Sequence, residues 1–124
     1  MTTGASATGA TFVHAISESL SHCSKGDGAT WDVATQSWTA IAPEGVSRLH
    51  PGVAYGAGRL WVYGGELCGT ATFSASGASY DFATRTWTAL PPGGPATSDD
   101  FPRAWFTGAD VLVWGPTDAA LYRP

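Results

Sequence analysis

Trp, Tyr, Phe and Val gather in short runs along the chain, such as Trp61-Val62-Tyr63 and Val111-Leu112-Val113-Trp114, and Gly, Pro, Ser and Thr interrupt these runs every few residues. Short aromatic and β-branched runs bounded by turn formers predict strands, and no stretch carries the start, stop or period of a helix. The pattern predicts an all-β chain. Its 124 residues suffice for one modest core, so residues 1–124 are read as a single domain.

The strand pattern repeats. Trp31-Asp32-Val33-Ala34-Thr35-Gln36-Ser37-Trp38-Thr39-Ala40-Ile41 returns 49 residues later as Tyr80-Asp81-Phe82-Ala83-Thr84-Arg85-Thr86-Trp87-Thr88-Ala89-Leu90. The same offset lays Phe12-Val13-His14 on Trp61-Val62-Tyr63, and Val111-Leu112-Val113-Trp114-Gly115 supplies a third copy of that strand. A period of about 40 to 50 residues containing several short strands is the sequence signature of a β-propeller.

The middle copy runs His50, Val53-Ala54-Tyr55-Gly56, Leu60-Trp61-Val62-Tyr63, Gly64-Gly65, Tyr80-Asp81 and Trp87. In that order these residues resemble a kelch repeat, four strands forming one blade. The resemblance implies blades at about residues 3–42, 48–91 and 101–124, with Tyr80 and Trp87 packing between neighbouring sheets. At the double-glycine position blade one is expected to carry Ala15-Ile16 and blade three Gly115-Pro116. Gly4 to Ala7 align with the first strand, and Leu121-Tyr122-Arg123-Pro124 falls where a third strand ends, so the last blade is expected to lack its outer strand. A three-blade arc would expose an apolar face at each end, which predicts closure with a second copy into a six-bladed homodimeric ring. A fragment of a longer propeller is the competing reading.

Charge narrows the partners. With a formal net charge of −4 and no Lys/Arg cluster, the chain is not expected to bind nucleic acid. No apolar run approaches membrane-spanning length, so no membrane partner is expected. Met1 to Ala10 lacks the basic start and apolar stretch of a secretion signal, which predicts a cytoplasmic protein. In such a compartment Cys23 and Cys68 are expected as free thiols or metal ligands rather than a disulfide.

The kelch resemblance implies that loops between second and third strands, and between consecutive blades, share one face. In blade one this loop carries Glu18, His22, Cys23 and Asp27, and in blade two Glu66 and Cys68. The inter-blade loops add Glu44, Arg48 and His50, then Asp99, Asp100 and Arg103, while His14 ends a second strand. Imidazole and thiolate ligands suit zinc or another divalent transition metal, giving His14, His22, Cys23, His50 and Cys68 as candidate ligands. The first reading of His50 is a structural histidine, of His14 a packed residue and of Asp99-Asp100 a solvated loop, while Cys68 reads equally as a buried filler.

Arg48 and Arg103 are candidates for holding an acidic ligand, with Glu66 beside them. One functional expectation is therefore a metal-dependent hydrolase of an anionic ester, with Arg48 steadying charge and Asp99 or Asp100 accepting a proton. The alternative is a non-catalytic kelch-type module that grips a small-molecule or protein ligand on the same face. A structural fragment with no function of its own remains the third.

Overall fold

A computed structural model describes residues 28–95 and 102–124 with their side chains, and the backbone of two strands before them. Those strands, β1 (Thr2–Ser6) and β2 (Phe12–Ile16), join β3 (Gly28–Asp32) and β4 (Ser37–Ile41) in a four-stranded antiparallel sheet. After β5 (Arg48–Leu49) come β6 (Gly52–Gly56) and β7 (Arg59–Tyr63), then β8 (Glu66–Leu67) and β9 (Thr72–Phe73), then β10 (Gly77–Asp81) and β11 (Thr86–Ala89). Strands β6, β7, β10 and β11 form the second sheet, and β5, β8 and β9 a small one at its side. The third sheet contains β12 (Arg103–Phe106), β13 (Val111–Trp114) and β14 (Ala119–Tyr122). No helix occurs among the described residues, so the all-β expectation holds.

The sequence repeat returns as repeated geometry. Trp31 pairs with Trp38 across β3 and β4, as Tyr80 pairs with Trp87 across β10 and β11, and each aromatic pair has centroids 5.2 Å apart. Asp32 Oδ1 accepts the N–H groups of Ala34 and Thr35 at 2.8 and 3.2 Å, and Asp81 Oδ1 those of Ala83 and Thr84 at 2.8 and 3.1 Å. An aspartate that takes two amides ahead of it closes the turn without a partner strand. The chain then leaves each turn through a left-handed residue, Gln36 at φ 51° and Arg85 at φ 59°.

Strand registers correct one alignment. Val13 faces Trp31 where Leu60 faces Tyr80, so β2 matches β7 at an offset of 47 residues, not 49. Val13 therefore corresponds to Leu60 and Ile16 to Tyr63. The positions matching Gly64-Gly65 become 17 and 18, outside the described residues, rather than Ala15-Ile16. The shift arises because the connection after β2 is two residues shorter than the one after β7.

The second sheet lies between the other two, and the two-residue period of β7 divides its side chains between them. Leu60 and Val62 pack with Ile41 and Tyr80 toward the first sheet; Trp61 and Tyr63 pack with Val111, Val113 and Tyr122 toward the third. All nine are at most 8% exposed. Trp87 Nε1 also donates to Ala42 O at 2.6 Å, tying the second sheet to the connection from the first. Strand β6 runs beside β1 on one side and β12 on the other. Gly52 permits that approach, since a Cβ there would meet Pro102 O at 2.8 Å.

Candidate functional site

The connection between β7 and β10 is organised around Arg48, which is 7% exposed. Its Nε and Nη2 donate to the Glu44 carboxylate at 2.9 to 3.2 Å. Nη1 donates to Gly64 O, Ser74 Oγ and Ser76 O, each at 3.0 Å, and Nη2 also reaches Ser76 Oγ at 3.2 Å. These acceptors occupy the donor fork, so Arg48 ties the inter-sheet connection to the loop instead of presenting itself to an anion. Arg48 thus has a structural role in this loop that its sequence position did not reveal. Gly64 and Gly65 both have positive φ, and a Cβ at Gly65 would meet Leu49 O at 2.5 Å, which explains the double glycine.

The other candidates on this side lie on several elements. His50 follows β5 in a left-handed conformation with φ 51° and is half-buried. Glu66 lies opposite Leu49, and Arg103 stands exposed on β12 opposite Trp114. His14 sits on β2 opposite Thr30. His22, Cys23, Asp99 and Asp100 lie outside the described residues.

Cys68 is disulfide-bonded. This overturns the expectation of a free thiol or zinc ligand at Cys68, because a sulfur held in a disulfide has no thiolate to offer a metal. Among the described residues, no three His, Cys, Asp or Glu side chains gather in a metal-binding group.

Two apolar surfaces stand out more clearly than the loop face. On the third sheet Trp105, Leu112 and Leu121 lie in register across three strands, on the side away from the buried Val111 and Val113. Trp105 is 64% and Leu121 63% exposed, and Trp114 lies on the same side. On the first sheet Ile41 faces the second sheet, which puts Trp31 and Trp38 on the far side, and Trp38 is 56% exposed. Their counterparts Tyr80 and Trp87 are packed against a neighbouring sheet.

Sequence reasoning missed a charge relation that register exposes. Arg59 pairs with Asp81 at 2.9 Å on the second sheet, and Asp110 pairs with Arg123 at 3.0 Å on the third. These are the same cross-strand position with the signs exchanged. Two N–H bonds, from Thr84 and Ala83, and then Arg59 hold the Asp81 carboxyl below its usual range. Burial pushes the Tyr63 phenol well above its ordinary value, helped by neighbouring Tyr122; its hydroxyl lies 2.8 Å from Pro95 O.

No protein-family model matches the chain, and no curated protein matches it.

Proposed function

We propose that the chain is a kelch-type propeller arc of three blades, the last without its outer strand, and that it works as a non-catalytic binding module assembled from two copies. The observation that carries this reading is the pair of sheet faces that no described residue covers, Trp31 with Trp38 at one end and Trp105, Leu112 and Leu121 at the other. Within the chain the far side of each sheet meets the near side of the next. Docking the third sheet of one copy on the first sheet of another repeats that contact, and doing so twice closes a six-bladed ring with two-fold symmetry. Binding is favoured over metal-dependent hydrolysis because Arg48 and Cys68 are both engaged by the fold. The disulfide at Cys68 further supports an oxidising compartment over the cytoplasm expected from the sequence.

Head-to-tail closure has a distinctive mutational signature. Trp38→Lys alone and Leu121→Glu alone each place a charge in both interfaces of a ring and should give monomers by light scattering. Mixing the two variants puts Lys and Glu into one interface and leaves the other native, so the dimer should return. Dimers that persist in either single variant, or variants that stay monomeric when mixed, would contradict the closure.

A further inference from the structure

We infer that the cleft between the first and second sheets is a binding site for a neutral sugar, independent of how the ends of the arc are covered. The cleft has a volume of about 380 Å³, within the range of small-ligand sites. Tyr80, Asp32 and Arg85 line it, and each has polar capacity that the fold does not use.

Tyr80 is only 3% exposed, and its hydroxyl makes no hydrogen bond to a described residue. A buried hydroxyl without a partner costs about 1 to 3 kcal/mol unless something else satisfies it. Replacing that tyrosine by phenylalanine would keep the ring contacts with Phe82 and Trp87, so packing alone does not account for the oxygen.

Asp32 and Asp81 show what is distinctive about the cleft. Both spend Oδ1 on the turn that follows, but Asp81 Oδ2 is taken by Arg59. The residue opposite Asp32 is Phe12, which has no cation to offer, and Asp32 Oδ2 makes no bond to a described residue. Arg85 is exposed to solvent and forms no ion pair among the described residues. The cleft thus holds one unused acceptor, one unused donor fork and one hydroxyl that can do either.

Their charges cancel, which disfavours a charged ligand, and sugar hydroxyls match a carboxylate and a guanidinium equally well. The Tyr55 and Phe82 rings, 5.8 Å apart on the same lining, offer the apolar surface that the C–H face of a sugar ring requires. Thr30 and Ser37 from the first sheet add hydroxyls along the opposite wall.

The test is saturation-transfer NMR on the full chain with glucose, galactose, mannose and N-acetylglucosamine, alongside the charged sugars glucuronate and glucose 6-phosphate. At least one neutral sugar should receive saturation. Its affinity should fall about tenfold in Tyr80→Phe and in Asp32→Asn, which retains a side-chain oxygen for the turn, and stay unchanged in Arg123→Gln on the third sheet. Thermal melts of each variant establish that the fold is retained. Transfer to none of the neutral sugars, transfer only to glucuronate or glucose 6-phosphate, or binding that neither Tyr80→Phe nor Asp32→Asn weakens would overturn the inference.

Discussion

The second and third sheets contain equivalent strands but live in different surroundings. The second is packed on both faces, so β7 is apolar from Leu60 onward: Leu60, Trp61, Val62 and Tyr63 are each at most 3% exposed. The third is packed on one face only, so β13 alternates, with Val111 and Val113 buried and Leu112 and Trp114 partly exposed. What the alternation fails to do is turn polar. The outward residues Trp105, Leu112, Trp114 and Leu121 have the character of an interior face, which is why a missing neighbour is the simplest physical account of them.

The comparison breaks most visibly under truncation. Trp61→Ala should destabilise the chain by about 3 to 5 kcal/mol, whereas Trp105→Ala, 64% exposed within one chain, should cost under about 1 kcal/mol in urea titrations when both are measured in the monomeric Leu121→Glu background. Equal effects would mean that the two faces are equally buried. Arg48→Ala should cost a comparable 3 to 5 kcal/mol, roughly the penalty of leaving Glu44 buried and unpaired, with the same measurement as the check. An effect below about 1 kcal/mol would release Arg48 from the role given to it here.

Two groups of the second sheet titrate at opposite ends of the pH scale, Asp81 at the end of β10 and Tyr63 against the third sheet. The folded-state pKa of Asp81 is lowered, so its contribution is complete above the ordinary carboxylate range near ~4 and is lost as pH falls through the lowered value. Melting temperature should therefore drop less on acidification in Asp81→Asn than in the native chain. For Tyr63 the folded pKa is raised, so stability is complete below about pH 10 and declines as pH climbs beyond it. Tyr63→Phe should remove that alkaline component.

The smallest expected effect lies in the repeated turn. Gln36 occupies a left-handed conformation that costs a side chain roughly 1 kcal/mol, so Gln36→Gly should be neutral or stabilising by up to about that amount. Clear destabilisation would show that the turn is held by Gln36 itself rather than by Asp32.

Much of the fold was legible because the repeat from Trp31 to Ile41 and from Tyr80 to Leu90 writes strand, turn and strand in one contiguous block. The register of β2 was not, since a single offset cannot absorb loops whose lengths change on either side of it. The candidate site was read less well. Arg48 looks available in sequence, and only the folded loop brings Gly64, Ser74 and Ser76 around it. Cys68 carries no local mark of its disulfide. The outward row on the third sheet was readable in principle from alternate positions of β12, β13 and β14, but it signals an interface only once the inward row is seen to be filled.

The central claim is that both uncovered faces are interfaces between two copies, and the mass of the native chain in solution tests it most directly. Light scattering at micromolar concentration should report about twice the chain mass of 12.8 kDa, and a stable species at the single-chain mass would contradict the account.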